Sequence, residues 1–311
     1  MLAVVIPAYN EGENINIAAD TISGILSGKG IEFEIIFADD GSADDTWEVI
    51  TRRARDDVRI RGVRFSRNFG KEAAIFAGLQ AATQCGGCSC AVVIDCDLQH
   101  PPEVILEMHE LWRQGYEVVE ARKASRGKES LLYKLFAKTF YKLMKSSSGI
   151  NLDGASDYKL LDRKVIDALN EMKERLTFFR ALSAWVGFKT AVVEFKVQPR
   201  THGTTKWSFS KLFKFAISNI TGFTNLPMQF MTAMGIIFFI TSLALGVHTL
   251  VKFFMGNAEA GFSTVILLLL TVGSLLMFGL GIIGYYLSKI YEEIKFRPRY
   301  IINETTERKN Q

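Results

Sequence analysis

Asp95 and Asp97, one residue apart and followed by Gln99, are the residues whose types and spacing most directly suggest chemistry. Hard oxygen ligands in this arrangement suit Mg²⁺ or Mn²⁺, shared with a diphosphate. Just before them stand Ala91-Val92-Val93-Ile94, all apolar and mostly β-branched, which predicts a short buried strand. Pro101-Pro102 follow and cannot continue a sheet. Both carboxylates are therefore expected at a strand's carboxyl end, where open α/β sheets bind ligands. Strand alternation would put the two aspartates on one face, converging on one cation. The same pair also suits a solvated acidic turn, so its meaning depends on its surroundings.

The elements that must position this pair precede it. Apolar runs at residues 2–6, 33–38 and 60–65 predict three earlier strands. Ile15, Ala18, Ala19, Ile22 and Ile25 recur at helical spacing, and an Ala-rich helix is expected to end near residue 84. Asn10 with Glu13, and Ser42 with Asp45, have the spacing of capping boxes. Strands alternating with helices predict an α/β domain on a mostly parallel sheet. Each strand ends in polar residues: Tyr9 and Asn10, Asp39 and Asp40, Arg67, then Asp95 and Asp97. In a parallel sheet those ends share one edge and form one site. Further strands are expected at residues 117–121, 154–161 and 191–197, with an amphipathic basic helix near 131–143. No G-x-G-x-x-G follows the first strand and no G-x-x-x-x-G-K-[ST] occurs, which argues against dinucleotide oxidoreductases and P-loop NTPases.

Composition adds a second region. Of 311 residues, 48% are hydrophobic, and the excess lies in the last third. Residues 228–251 and 261–288 carry no formal charge with neutral histidine. Each exceeds the about 20 residues needed to cross a bilayer, so a two-helix transmembrane hairpin is expected. The stretch from Trp207 to Phe223 mixes aromatics with lysines at helical spacing, as in a helix lying in a membrane interface. Lysine and arginine flank both outer ends of the hairpin, which puts both termini and the first domain in the cytoplasm. The amino terminus lacks the basic lead of a signal peptide. The expected organisation is a first domain at 1–206, an interfacial helix at 207–227, spans at 228–254 and 261–288, and a cytoplasmic tail at 289–311. A net charge of +4 suits phosphate or anionic lipid but is too small to argue nucleic acid. Cys85, Cys88, Cys90 and Cys96 have no second Cys/His cluster at zinc-finger spacing, so reduced thiols are expected.

These motifs together resemble a family-2 glycosyltransferase of GT-A fold, in the branch that acts on polyprenyl phosphates. The matching stretches are Val5-Ile6-Pro7-Ala8-Tyr9-Asn10-Glu11, Asp39-Asp40-Gly41-Ser42, Ser66-Arg67-Asn68-Phe69-Gly70-Lys71, Asp95-Cys96-Asp97-Leu98-Gln99, Asp157-Tyr158-Lys159-Leu160 and Arg200-Thr201-His202-Gly203-Thr204-Thr205-Lys206-Trp207-Ser208. The resemblance implies a GT-A, Rossmann-like α/β domain and an inverting transfer from a nucleotide sugar to a polyprenyl phosphate at the inner (plasma) membrane. The donor would be UDP-glucose or a related UDP-sugar, with GDP-mannose and dolichyl phosphate the alternative pair. It assigns the Mg²⁺ or Mn²⁺ ion to Asp95, Asp97 and Gln99, and the donor to Pro7, Tyr9, Glu11, Asp39, Asp40, Arg67, Lys71, Asp95 and Cys96. Arg122, Lys123, Arg126, Arg200 and Lys206 are candidates for the acceptor phosphate. Asp97 and Asp157 are the catalytic candidates, and a homo-oligomer, a tetramer by resemblance, is implied. His100 stands where the family often has Asp, so no third carboxylate is assumed. A lipid phosphate is largely ionised at neutral pH, its second pKa being about 6, so it brings its own nucleophilic oxygen. Asp157 is therefore expected to set acceptor geometry more than to remove a proton, or else to pair with a structural arginine. A processive polysaccharide synthase would need a Gln-x-x-Arg-Trp motif and more spans. A silent nucleotide-binding membrane adaptor is the alternative from outside enzymology.

Overall fold

The computed structural model describes residues 1–84, 87–123, 155–174, 178–195, 221, 226–255 and 261–306. They fall into two compact units. The first runs to Phe195 and is completed by residues from Pro298 onward; the second holds the long apolar helices.

In chain order the first unit has β1 (Leu2–Ala8), α1 (Gly12–Gly28), β2 (Phe33–Asp39), α2 (Thr46–Asp56), β3 (Ile60–Phe65), α3 (Lys71–Gln84), β4 (Cys90–Val93), α4 (Val104–Arg113), β5 (Val118–Lys123) and β6 (Lys159–Asp162). After these come α5 (Arg163–Glu171), α6 (Phe179–Trp185) and β7 (Thr190–Phe195). The second unit has α7 (Leu226–Phe254) and α8 (Phe262–Ile294), and β8 (Ile302–Thr305) returns to the first. The strands form one sheet in the order β7-β5-β6-β4-β1-β2-β3-β8. β1, β2, β3 and β4 are mutually parallel, as are β5 and β7, while β6 and β8 run antiparallel to their neighbours.

Every residue of β1 and β2 is buried, as expected of parallel strands covered on both faces. Leu2, Val4 and Ile6 join Ile15 and Ile22 of α1 and Ile105 of α4 in one core. On the opposite face, α3 lies close against β1 at Gly78, where a Cβ would fall 2.2 Å from Val5 Cγ1. That approach places the first residue of α3, Lys71, at the sheet edge that carries the strand ends.

Two local expectations fail. Neither α1 nor α2 has a side-chain cap from the capping boxes. Asn10 instead adopts φ 54°, a region asparagine tolerates. Its N–H donates to Ser42 Oγ, and its Oδ1 accepts from the Ala43 N–H. The Ser42 hydroxyl donates to Asp39. Bonds between two turns thus outcompete local caps, which positions the site instead of the helix ends.

The second difference concerns β4, which ends at Val93, so Asp95 and Asp97 lie beyond it. Their placement is therefore set by a turn and not by strand alternation, and the Leu98 N–H donates to the Asp95 carbonyl within it. Leu98 takes a left-handed φ of 49° there, and Asp97 Oδ1 accepts from the Gln99 N–H at 3.2 Å. Strained backbone of this kind concentrates at functional turns.

Residues 227–254 and 268–294, with mean hydropathies of 2.1 and 2.0, form helices long and apolar enough to cross a membrane. α8 continues to Ile294, past the end of the expected span. The segment expected only as a tail contributes β8, which pairs with β3. The basic helix near 131–143, nearly all of the interfacial helix, and the candidates Arg126, Arg200 and Lys206 lie outside the described residues.

Candidate active site

The nucleotide candidates gather at the ends of β1, β2 and β3. Asp39 is fully buried, and its Oδ1 accepts from the Ser42 N–H at 3.0 Å and from the Ser42 hydroxyl. Its Oδ2 has no hydrogen-bond partner, and Arg64 Nε stands 3.4 Å away. Burial pushes the Asp39 pKa up, against the pull of the Ser42 bonds. Asp40 is also buried and accepts from the Phe69 N–H at 2.6 Å and the Gly70 N–H at 2.9 Å. Burial raises its pKa while those amides oppose the shift. Asp40 therefore holds the loop that carries Arg67. Gly41, at φ 67°, lets the same loop approach: a Cβ there would fall 2.6 Å from the Arg67 carbonyl carbon. Arg67 itself is exposed, with its guanidinium 4.3 Å from the Phe69 ring centroid, and Tyr9 is 42% exposed. Glu11 is half-buried and accepts from Asn14 Nδ2 at 2.6 Å.

The second cluster surrounds Asp157. Because β6 is antiparallel, its start lies at the same edge as the ends of the parallel strands. Asp157 stands two residues before the first residue of β6 and is buried. Arg180 of α6 grips it with two bonds, Nε to Oδ1 at 2.7 Å and Nη2 to Oδ2 at 3.0 Å. Lys71 Nζ lies 3.1 Å from Asp157 Oδ2 and 2.7 Å from Asp95 Oδ1, bridging the two carboxylates. Burial alone would raise the Asp157 pKa, but Lys71 and Arg180 outweigh it and hold the carboxyl well below the usual range. Asp95 is likewise lowered: Lys71 and His100 overcome its desolvation. The two carboxylates overcome desolvation at Lys71 and raise its pKa. Glu72 accepts from the Phe179 N–H at 2.8 Å, fixing the start of α6 beside the clamp. Its pKa is pushed up to about 8, by burial first and then by the Asp157 charge.

A divalent ion finds a plausible donor set here. Asp95 and Asp97 supply hard oxygens, and the ammonium of Lys71 on Asp95 marks that carboxylate's demand for a cation. Among the described residues, no three His, Cys, Asp or Glu side chains group as metal ligands. The remaining coordination would thus fall to Gln99, phosphate oxygens and water, as Mg²⁺-type sites accept.

Other candidates take different places. Pro7 is buried inside β1, where it pairs with Ala38. Cys96 has its side chain buried in the hydrophobic core, and burial pushes its thiol pKa up. Cys88 and Cys90 are also buried free thiols. His100 is buried and stacked on Tyr158, with Nδ1 unpartnered, and burial lowers its pKa despite Asp95. Arg122 and the exposed Lys123 close β5 at this edge. Arg122 pairs with Glu120 at 3.2 Å, and Glu120 also lies 3.7 Å from the buried Lys159, whose ammonium donates to Ser183 Oγ at 2.9 Å.

Sequence reasoning missed Arg180, Glu72 and Arg64. Glu72 follows Lys71 directly in a stretch already singled out and could have been included. Arg180 and Arg64 stand in no motif, and only the fold brings them to Asp157 and Asp39.

Residues 3–169 match the family described as glycosyl transferase family 2. A prophage bactoprenol glucosyl transferase homolog of Escherichia coli K12 is 35% identical over 97% of this chain and 98% of its own length. The bactoprenol glucosyl transferase of Shigella phage SfX is 34% identical over 97% and 98%. An uncharacterized glycosyltransferase of Bacillus subtilis, YkcC, is 35% identical over 97% and 93%. A crystal structure of glucosyl-3-phosphoglycerate synthase from Mycobacterium tuberculosis, with Mn²⁺ and uridine-diphosphate-glucose, has a TM-score of 0.46 and 22% identity, covering 71% of this chain and 77% of that one.

Proposed function

We propose, since the chain belongs to glycosyl transferase family 2, that it moves a sugar from a nucleotide sugar to a polyprenyl phosphate at a membrane. In this reading the donor is UDP-glucose or a related UDP-sugar and the acceptor undecaprenyl phosphate; the relatives' names support a glucosyl group and a bactoprenol carrier. The observation that carries this reading is the juxtaposition of Asp95, Lys71, Asp157 and Arg180 at one sheet edge, beside the buried Asp39.

In this reading the acceptor phosphate oxygen attacks the anomeric carbon while the bond from that carbon to the diphosphate oxygen breaks. The nucleoside diphosphate leaves, and in-line attack inverts the centre. The acceptor arrives ionised, so no proton need be removed. Asp157, kept charged by Lys71 and Arg180, orients those cations toward phosphate oxygens. Asp39 offers its unpartnered Oδ2 to an N–H or hydroxyl of the nucleoside. Arg122 and Lys123, with Arg126, Arg200 and Lys206, supply positive charge for the lipid phosphate. Asp95, Asp97 and Gln99 would hold Mg²⁺ or Mn²⁺, which when bound neutralises charge on the leaving diphosphate. α7 and α8 anchor the enzyme with the catalytic unit and both termini in the cytoplasm.

The test offers purified full-length protein UDP-glucose, UDP-galactose, UDP-N-acetylglucosamine and GDP-mannose, each with undecaprenyl or dolichyl phosphate, and follows labelled lipid. Label from a UDP-sugar on undecaprenyl phosphate is expected. Label only from GDP-mannose on dolichyl phosphate moves the assignment to the mannosyl branch, and no label with any pair overturns the reading. Cysteine at Asn257 should react with an impermeant thiol reagent in intact cells, and cysteine at Ser42 should not. The reverse pattern overturns the orientation.

A further inference from the structure

We infer that β8 governs nucleotide affinity, with Glu304 and Arg64 acting as positioning residues for Asp39. This rests on the reading that Asp39 meets the nucleotide. Asp39 is fully buried, and the Arg64 guanidinium stands beside its unpartnered Oδ2. The Arg64 guanidinium is divided three ways. Nε faces Asp39, Nη2 donates to the Ser42 carbonyl at 3.3 Å, and Nη1 donates to Glu304 Oε1 at 3.0 Å. The other Glu304 oxygen accepts from Trp47 Nε1 at 3.0 Å. Glu304 is thus fixed from one side by the indole and fixes the guanidinium from the other. A planar fork held at its outer nitrogens leaves Nε little choice of direction.

The ladder supports this role. Arg64 and Glu304 stand directly opposite each other in the antiparallel pairing of β3 with β8, where opposite charges attract. The register shifts between Arg64 and Phe65, and such irregularities re-aim side chains next to sites. The rest of the strand is secured independently. Tyr300 stacks on Phe65 at 4.9 Å, the Ser66 N–H donates to Ile301 O at 3.0 Å, and the Gly62 N–H donates to Thr306 Oγ1 at 2.8 Å. Removing the Glu304 carboxylate therefore leaves β8 in place and frees the guanidinium and the Trp47 indole N–H. Glu304 keeps 46% exposure, so as a stability device alone the pair would contribute little.

The experiment titrates UDP into full-length protein in nanodiscs by calorimetry, for wild type, Asp39→Asn, Glu304→Ala, Glu304→Gln and Arg64→Lys. UDP affinity is expected to fall about 5-fold or more in Glu304→Ala and Arg64→Lys, a coupling of ordinary size. Glu304→Gln, which keeps the Trp47 bond without the charge, should fall between. Thermal midpoints should stay near wild type, and in turnover the donor KM should rise with kcat and the lipid KM unchanged. If Asp39→Asn binds UDP as tightly as wild type, the nucleotide reading of Asp39 fails and this inference with it. If Asp39→Asn loses UDP while Glu304→Ala and Arg64→Lys bind normally, the inference alone fails. A fall in kcat that tracks a lowered thermal midpoint also overturns it, because that is the signature of a merely structural strand.

Discussion

At the β2 end of the edge, Asp39 and Asp40 are buried, with Asp39 Oδ1 bonded to a serine and both Asp40 oxygens to backbone amides. At the β4 end, Asp95 and Asp157 are neutralised by Lys71 and Arg180, whose side chains keep 44% and 34% exposure. Backbone amides cannot leave when a ligand arrives, whereas half-exposed ammonium and guanidinium groups can change partners. The first cluster is thus a preformed shape, and the second a set of charges ready to be shared with phosphates. Under the proposed function, binding and reaction would draw on different kinds of bond in the same sheet.

The largest effect that would test this contrast is expected at Asp97. Asp97→Ala should lower transfer on the order of 100-fold or more, by losing stabilisation of the leaving group, with the thermal midpoint nearly unchanged. EDTA should have the same effect on wild type. A midpoint drop as large as that expected for Asp40→Asn would erase the distinction between the clusters.

Asp157→Asn should lower transfer by roughly 10-fold, less than the 100-fold or more expected for loss of a general base. Lys71 and Arg180 keep the wild-type carboxyl ionised far below neutral pH, so it contributes no acid limb in the working range. The limb should come from the acceptor phosphate, near pH 6, and survive in the variant. A variant pH profile without that limb would make Asp157 the base. For stability the depressed pKa has the usual acid sign: the ion pairs stabilise above the ordinary value of 3.8 and are lost as pH falls through the folded value.

Asp40→Asn should act chiefly on stability. One carboxamide oxygen replaces two acceptors and turns an N–H toward the Phe69 and Gly70 amides, costing about 1–3 kcal/mol by chemical denaturation. Donor affinity should weaken only as far as the Arg67 loop loosens. A full-strength loop with lost kcat would place Asp40 in the reacting cluster instead.

The smallest effect on transfer is expected from Glu72→Gln, whose amide oxygen can still accept from Phe179. Its signature lies in pH. Glu72 titrates near pH 8 against an ordinary 4.5, so between those values the native state holds a proton that the unfolded chain has released. Stability therefore falls as pH rises through that window and levels off above it. Denaturation midpoints at pH 5.5 and 8.5 should differ less in Glu72→Gln than in wild type, and an unchanged difference would mean that Glu72 is ionised throughout.

Much of the site was legible before any coordinates. The apolar runs of β1 to β4, the polar residues at their ends and the Asp95/Asp97 pair are local patterns, and parallel topology gathers such ends without further information. One near-neighbour pattern misled. The capping boxes at Asn10 and Ser42 describe bonds those side chains could make locally, but each found a better partner across the turns.

The sequence by itself determined the α/β class, the edge that carries the site, the identity of its acidic pair and the two long apolar helices. Those properties follow from periodicity and composition within a few turns of chain. Only the tertiary structure decided that β6 runs antiparallel and so delivers Asp157 to that edge, that Lys71 and Arg180 hold it, and that β8 returns to place Glu304 against Arg64. These contacts join residues 86, 23 and 240 positions apart. A charged side chain chooses its partner by distance in space, and no local pattern records which distant segment the sheet will lay beside it.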